Sequence, residues 1–225
     1  MIRNIQLLLL LLRLNLALIQ VASANEIENK FIKSGLVDVQ TIDNTIQVRL
    51  VNSNPDFNYF REDFYKGLNK AYLQKEVALK LADAQKILKS KHANYSLLIM
   101  DAARPRSVSK QMYEKFKGTK FEKYVANPQK GSMHNFGIAV DITIVDETGE
   151  QIDMGFTPFF KNDLQIYWQF IKMKVGYSLS DQQKKNRKLL SDVMQKAGFK
   201  PLSFEWWHFN GIAKNEARRK YQIIE

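Results

Sequence analysis

Two of the three histidines in the sequence stand beside carboxylates in apolar surroundings, and they are the residues best suited to carry chemistry. His134 lies seven residues before Asp141 in a glycine-containing segment, and His208 ends a run that starts with Glu205 and two tryptophans. The third histidine, His92, lies in a polar stretch at the end of a predicted helix, where a positive side chain suits the helix dipole. We therefore interpret His92 as a surface residue and the other two as candidate site residues.

This pairing of imidazoles with carboxylates matches the needs of a catalytic zinc ion. Such sites commonly take two histidines and one carboxylate and leave a fourth position for water. His134, Asp141 and His208 would supply that set. Glu205 would stay off the metal and act as the base, because zinc lowers the pKa of a bound water to about 7 and a carboxylate can then take its proton. A single histidine in an apolar run is more often a hydrogen-bonded core residue, so the prediction of one zinc ion per chain depends on the combination.

The spacing of Glu205 and His208 sets a condition on the backbone. Residues three apart on a regular strand point to opposite faces of the sheet, so the two side chains cannot converge there. The aromatic run Phe204–Phe209 is poor helix material. We therefore expect a strand that is bent or bulged between the two residues.

These segments together resemble the family of D-alanyl-D-alanine dipeptidases of the vancomycin-resistance type and their D,D-carboxypeptidase relatives. The family's Ser-x-His-x-x-Gly-x-Ala-x-Asp segment is matched from Ser132 to Asp141, and its Glu-x-Trp-His segment from Glu205 to His208. A third segment, Asp-Gly-Tyr-Arg-Pro, is similar to Asp101–Pro105 with two central substitutions. The resemblance covers about residues 35–210.

The resemblance implies a role for each matched residue. The implied zinc ligands are His134, Asp141 and His208. Glu205 is implied as the general base that later hands its proton to the leaving amine, Arg104 as the cation that stabilises the oxyanion, and Ser132 as a substrate contact. The position of Arg104 agrees with such a role, because it follows a predicted buried strand and Pro105 holds it extended on a loop.

One position departs from the dipeptidase branch of this family. There an aspartate that follows a Met-Gly pair meets the free ammonium group of the dipeptide. Phe160 stands at the matching place here, and Asp163, three residues on, is a candidate replacement. We therefore expect the hydrolytic machinery to be complete and the preference for a free dipeptide to be looser.

The elements that must position these residues can be read from hydropathy. Alternation and short apolar runs predict strands at Val37–Val51, Tyr95–Met100, Ile138–Val145 and Phe204–Phe209. Apolar residues three or four apart predict helices at Asn69–Ser90, from Ser107 to about Lys117, and from Ser180 or Asp181 to Gly198. The order lacks a regular βαβ rhythm. It predicts a single compact α+β domain with a mainly antiparallel sheet, packed helices and the zinc site at the sheet.

The first residues have the segment order that is typical of a secretory signal peptide. A positive start at Arg3 is followed by an apolar stretch and by a small-x-small site that ends at Ala24. We expect cleavage after this residue, which separates the signal peptide, residues 1–24, from the peptidase domain, residues 25–225. The alternative, an uncleaved membrane anchor, is disfavoured because Arg13 interrupts the apolar run. The sequence thus predicts a periplasmic or secreted protein with no stable membrane insertion after cleavage.

Composition narrows the possible partners. The formal net charge of +11 could serve nucleic acid, an anionic envelope surface or solubility. The basic residues form no stripe interleaved with aromatic residues, and helix-turn-helix and zinc-finger spacings are missing, so we predict no nucleic-acid partner. The sequence has no cysteine, which excludes disulfides, thiolate catalysis and a lipid-anchored cysteine. The expected partner is a small D-amino-acid peptide, and the oligomeric state stays open.

The leading functional hypothesis is zinc-dependent hydrolysis of the D-alanyl-D-alanine dipeptide. The alternative is a D,D-carboxypeptidase or endopeptidase that uses the same chemistry on longer peptidoglycan peptides. A non-catalytic wall-binding module is a third possibility, but a binding module has no need of the base Glu205.

Overall fold

The structure, a computed structural model, describes residues 6, 26–58, 60–119, 122, 127–155, 178–203 and 205–225. Of the expected signal peptide it describes only Gln6, so the cleavage site stays a prediction. Phe160 and Asp163 also lie outside the described residues.

A five-stranded sheet forms the centre of the described chain. The described residues form seven strands, of which five belong to this sheet. In chain order they are β1 (Leu36–Asp38), β2 (Gln47–Val48), β3 (Tyr72–Gln74), β4 (Ser96–Asp101), β5 (Ala139–Val145), β6 (Lys200–Leu202) and β7 (Glu205–Asn210). The larger sheet has the order β2-β4-β5-β7-β6, and β1 and β3 form a separate antiparallel pair. Within the larger sheet β2 and β4 are parallel and every other pair is antiparallel.

Helices accompany these strands. They are α1 (residues 26–33), α2 (Lys75–Lys91), α3 (Arg106–Phe116), α4 (Asp181–Lys196) and α5 (Lys214–Lys220), with 3₁₀ turns at Val39–Thr41, Val51–Ser53 and Met133–Phe136. None of the helices in the described ranges has the length and hydrophobicity needed to cross a membrane.

The core lies between the sheet and the helices. In α2 the apolar residues recur every three or four positions and are fully buried: Val77, Leu81, Ala84 and Leu88. This stripe faces β4, whose six residues are all buried. Every residue of β5 is buried too, apart from Asp141, which is partly exposed. Asp141 is therefore the one residue of β5, the middle strand of the sheet, that solvent can reach.

The expected α+β architecture with a mainly antiparallel sheet is confirmed. The predicted strand Val37–Val51 is present only at its two ends, in β1 and β2, because side chains divert the backbone between them into turns. Asp38 accepts a hydrogen bond from the backbone of Gln40 at 3.0 Å, and Asp43 accepts one from the backbone of Thr45 at 3.0 Å. Such local bonds compete with the strand ladder.

Two helix boundaries also differ from the prediction. The helix expected from Asn69 begins only at Lys75, because Tyr72–Gln74 pairs with β1 instead. Helix α3 begins at Arg106, with Pro105 and not Ser107 at its N-cap. Helix α4 agrees well with the prediction, and Ser180 caps it by accepting from the backbone of Gln183 at 3.2 Å.

Candidate active site

The neighbouring strands β4, β5 and β7 place Asp101 beside two of the candidate residues, Asp141 and His208, at the same level of the sheet. In the register of β4 and β5, Asp101 lies opposite Asp141. In the register of β5 and β7, Asp141 lies opposite His208. Residues far apart in sequence are thereby placed side by side on a rigid support.

His134 reaches this row from the 3₁₀ turn Met133–Phe136, just before β5. The turn ends at Gly137, whose φ of +65° is in the left-handed region that favours glycine. A Cβ atom at this position would lie 2.7 Å from Cδ2 of Leu36, so any larger residue would have to displace that side chain. The glycine of the motif thus allows the chain to turn from His134 directly into the strand that carries Asp141.

The potential ligand atoms of His134, Asp141 and His208 form a compact triangle. His134 Nε2 lies 3.3 Å from His208 Nδ1 and 3.5 Å from Asp141 Oδ1. His208 Nδ1 lies 3.0 Å from the same oxygen. A tetrahedral metal ion with the bond lengths of zinc keeps its ligand atoms about 3.3–3.5 Å apart. These residues can therefore hold a metal ion of this kind with little movement.

Hydrogen bonds on the outer side of each ring determine which nitrogen faces the triangle. His134 Nδ1 donates to the carbonyl oxygen of Ala102 at 2.7 Å, and His208 Nε2 donates to Oδ1 of Asn210 at 3.3 Å. The other nitrogen of each neutral ring then directs its lone pair toward Asp141. Three electron-rich atoms in such contact repel one another unless a cation or a proton lies between them. Outer bonds of this type are usual for metal-binding histidines.

Glu205 comes close to this triangle because β7 is irregular. Lys200 and Pro201 pair with Asn210 and Phe209, but the next residue, Leu202, pairs with Glu205. The register thus shifts along β7, which confirms the expected distortion. Glu205 Oε2 lies 3.9 Å from His208 Nδ1, and the Glu205 side chain is 37% exposed. A partly exposed carboxylate therefore borders the potential metal site without belonging to its three-atom cluster.

The pKa values of the two carboxyl groups are shifted in opposite directions. Burial opposes the ionisation of Asp141, but His134 and His208 in their protonated forms override it through charge and hydrogen bonds and lower the pKa of its carboxyl far below the usual range. Burial raises the pKa of Glu205, and the negative charge of Asp141 raises it further. Asp141 is thus suited to bind a cation, and Glu205 is suited to accept and return a proton.

Arg104 is held beside this pair of carboxylates by Asp101. Its Nε and Nη2 both donate to Oδ2 of Asp101, the former at 3.0 Å, and its side chain is 16% exposed. Burial would lower the pKa of Arg104, but the charge of Asp101 overrides that effect and raises it. Arg104 also lowers the pKa of Glu205, although less than burial raises it. A fixed cation therefore stands within electrostatic range of the potential base.

Ser132 begins the turn that carries His134, and its hydroxyl oxygen is buried with no hydrogen-bond partner among the described residues. A buried hydroxyl without a partner is uncommon. The Ser132 hydroxyl is therefore available to form a hydrogen bond with a bound ligand. The turn itself is tightly held, because the backbone of Ser132 donates to Oδ1 of Asn135 at 2.7 Å.

Sequence reasoning missed several supporting residues. The buried side chain of Asn135 donates to the carbonyl of Arg104 at 2.8 Å and so ties the two candidate loops together. The backbone of Ile224 donates to the carbonyl of Asn135 at 2.8 Å and accepts from the backbone of Arg106 at 2.7 Å. The role of Asn135 could have been suspected from the sequence, because it is a polar residue inside an apolar motif. Nothing in the sequence pointed to a role for Ile224. His92 is exposed and stacks on Tyr95, as expected for a surface residue.

The chain is similar to a known family of peptidases and to several of its members. Residues 33–224 match the family model Peptidase_M15, described as D-ala-D-ala dipeptidase. A D-alanyl-D-alanine dipeptidase of Escherichia coli (strain K12) is 28% identical over 176 residues, which cover 77% of this chain and 83% of the relative. Another from Enterococcus faecalis (strain ATCC 700802 / V583) is 26% identical over 161 residues, covering 64% of this chain and 75% of the relative.

A more distant likeness exists to a solved structure, VanYB in complex with D-Alanine-D-Alanine. It covers 66% of this chain and 76% of the other, with 14% identity and a TM-score of 0.38.

Proposed function

This chain belongs to the Peptidase_M15 family of D-Ala-D-Ala dipeptidases, and we propose that it hydrolyses the D-alanyl-D-alanine dipeptide with a zinc-activated water. The observation that carries this proposal is the convergence of His134, Asp141 and His208 with Glu205 at their border. A peptidase needs an electrophile, a base and a stabiliser of negative charge, and the surroundings of this cluster offer residues for each.

We propose that Nε2 of His134, Nδ1 of His208 and Oδ1 of Asp141 hold one zinc ion per chain. The spacing of the three atoms and their inward lone pairs support this assignment. Nitrogen-rich ligand sets also favour zinc over magnesium or calcium, which prefer oxygen ligands. When bound, zinc would act as a Lewis acid and lower the pKa of a water molecule.

Glu205 is proposed as the general base and then the general acid. Its carboxylate would take a proton from the attacking water and return it to the amine that leaves when the peptide bond breaks. The position of Glu205 supports this role, because its carboxylate borders the three-atom cluster, with Oε2 3.9 Å from Nδ1 of His208. Its partial exposure would leave room for a substrate.

Arg104 and Ser132 are proposed to contact the substrate. The guanidinium of Arg104 would stabilise the oxyanion that forms when water adds to the peptide carbonyl, which is a large contribution in acyl-transfer enzymes. The unpartnered hydroxyl of Ser132 would donate to the bound peptide. Ala102 links the loop that carries Arg104 to the turn that carries His134. It lies two residues before Arg104, and its carbonyl accepts the hydrogen bond that orients the ring of His134.

The sequence favours one alternative substrate class. Phe160 stands where dipeptidases of the resembling type keep the ammonium-binding aspartate. A longer wall peptide has no free ammonium at that point, so D,D-carboxypeptidase or endopeptidase activity on peptidoglycan peptides is the second candidate. We also propose that the protein is exported, periplasmic or secreted, after cleavage of residues 1–24, as the N-terminal pattern predicts.

One experiment tests the proposal and its alternative together. Residues 25–225 would be loaded with zinc and incubated with free D-Ala-D-Ala and, separately, with a wall pentapeptide that ends in D-Ala-D-Ala. We expect release of D-alanine from the dipeptide, and loss of that activity after chelation of the metal. Faster release from the pentapeptide would favour the alternative. If a zinc-bound, folded protein cleaves neither substrate, both proposals fail.

A further inference from the structure

The carboxylate of Asp101 is the most heavily bonded side chain near the site. Its Oδ2 accepts from Nε and Nη2 of Arg104 and from Nδ2 of Asn52, the last at 3.0 Å. Its Oδ1 accepts from the hydroxyl of Tyr65 at 2.6 Å and from the backbone of Ala102 at 3.0 Å. The Asp101 side chain is only 3% exposed, so these protein donors take the place of water.

The division of these bonds between the two oxygens is unusual for an arginine–carboxylate pair. Such pairs are frequently bidentate, with each carboxylate oxygen accepting from a different nitrogen. Here both donors of Arg104 share Oδ2, and Tyr65 and Ala102 take Oδ1. The third nitrogen of Arg104, Nη1, does not donate to Asp101, and under the proposed function it is the nitrogen that meets the substrate.

We propose that Tyr65 is a positioning residue that acts through Asp101: by occupying Oδ1 it prevents a bidentate pairing and keeps Arg104 directed toward the metal site. This inference rests on the proposed function of Arg104. Without the Tyr65 hydroxyl, Oδ1 would keep one donor, and the carboxylate could rotate to accept from Arg104 with both oxygens. The guanidinium would then follow Asp101 and withdraw Nη1 from the substrate.

Tyr65 and Asn52 belong to one folded unit, which makes the restraint firm. The backbone of Phe64 donates to the carbonyl of Asn52 at 2.9 Å, so the two donors to Asp101 are linked through their own backbone. Tyr65 is almost completely buried, and its backbone donates to Oδ1 of Asp63 at 3.1 Å. Burial raises the pKa of the Tyr65 hydroxyl well above its ordinary value, so that it remains a donor.

The test compares two matched substitutions, Tyr65→Phe and Tyr72→Phe. Both tyrosines are buried, and each donates its hydroxyl to a carboxylate, but the hydroxyl of Tyr72 bonds to Glu28 on α1 and not to Asp101. In the zinc-loaded protein we expect Tyr65→Phe to lower kcat for D-Ala-D-Ala about tenfold, part of the 10²–10³-fold that one oxyanion donor contributes. Metal content and KM should stay near the starting values. Tyr72→Phe should keep its kcat.

A double-mutant cycle with Arg104→Ala separates positioning from a general structural effect. If Tyr65 acts through Arg104, then Tyr65→Phe should cause no further loss of kcat once Arg104 is gone. Equal turnover of Tyr65→Phe and Tyr72→Phe, or a tenfold loss that persists in the Arg104→Ala background, would overturn the inference. If the unsubstituted protein cleaves no peptide, the proposed function has failed instead.

A second variant keeps the inference testable if Tyr65→Phe does not fold. Asn52→Ala removes the donor that this unit supplies to the other oxygen, Oδ2, which would also allow the carboxylate to rotate, and Asn52 is only partly buried. We expect a several-fold loss of kcat that again disappears in the Arg104→Ala background. Unchanged turnover in folded Asn52→Ala would count against the restraint.

Discussion

The backbone of Arg104 donates to the carbonyl of His134 at 3.0 Å, and the ring of His134 donates in return to the carbonyl of Ala102 at 2.7 Å. The loop after β4 and the turn before β5 are therefore one hydrogen-bonded unit. The proposed metal ligand and the proposed oxyanion stabiliser are positioned by the same contacts, so a change in one loop should be felt in the other.

Replacement of His208 by alanine should release the metal. It removes one of three ligand atoms, and the two that remain offer no closed set for zinc. Metal analysis of purified His208→Ala should show zinc largely lost, while His92→Ala, an exposed histidine, should retain one zinc per chain. Unchanged zinc in folded His208→Ala would show that the ligand assignment is wrong.

Replacement of Glu205 by glutamine should keep the metal and abolish most of the activity. The amide has nearly the shape of the carboxylate but cannot take a proton, and positioned acid–base catalysis contributes about 10²–10⁴-fold. We expect kcat to fall by such a factor with zinc content unchanged. Glu216→Gln, at an exposed position of α5, is the matched control. An active Glu205→Gln enzyme would mean that another group activates the water.

Replacement of Arg104 by alanine should also keep zinc and lower kcat. The loss of one preorganised oxyanion donor costs about 10²–10³-fold. Stability should fall as well, because Asp101 would stay buried without its cation. Arg219→Ala, exposed on α5, should show neither effect. If Arg104→Ala affected only KM, the residue would serve ground-state binding and not the oxyanion.

Replacement of Gly137 by alanine should destabilise the fold and weaken zinc binding. Gly35 is an ideal control, because both glycines have positive φ, +65° and +77°, but only a Cβ at Gly137 meets a neighbouring atom, Leu36 Cδ2. Each change should cost about 1–2 kcal/mol for the backbone, and Gly137→Ala about 1–3 kcal/mol more for the contact. Urea unfolding of the metal-free proteins measures the difference. Equal losses would show that Leu36 moves away easily.

Specificity for a free N-terminus should be looser than in a strict dipeptidase. A buried hydrogen bond to a charged group contributes about 1.5–3 kcal/mol, which corresponds to about 10–150-fold in discrimination. Because Phe160 offers no carboxylate, cleavage of D-Ala-D-Ala and of its N-acetylated form should differ by less than that. The comparison is repeated in Asp163→Ala, since Asp163 could replace the missing group. A strong preference for the free dipeptide that survives this change would contradict the interpretation of Phe160.

Much of this arrangement could be predicted from residue types and spacing. Two histidines in motif segments were enough to predict which side chains converge, and the three-residue spacing of Glu205 and His208 required the irregular β7 that the structure has. The segment Val37–Val51 could not be predicted in the same way, because Asp38 and Asp43 redirect its backbone through single side-chain bonds. The roles of Tyr65 and Asn52 were also invisible in the sequence. They act on Asp101 from positions 36 and 49 residues away, which only the folded chain brings together.

The row of Asp101, Asp141 and His208 across three strands has a consequence for how the protein matures. His134 and Asp141 are separated from His208 by 74 and 67 residues, so their meeting closes long loops and requires β7 to dock on β5. A chain in which β7 has not yet docked on β5 cannot offer all three atoms to an ion. Metal capture would therefore follow folding and then lock it, since an ion that binds only the native state stabilises that state. Acquisition of the ion would thus report that β7 has docked on β5, and a chain without this pairing would be inert toward peptides around it.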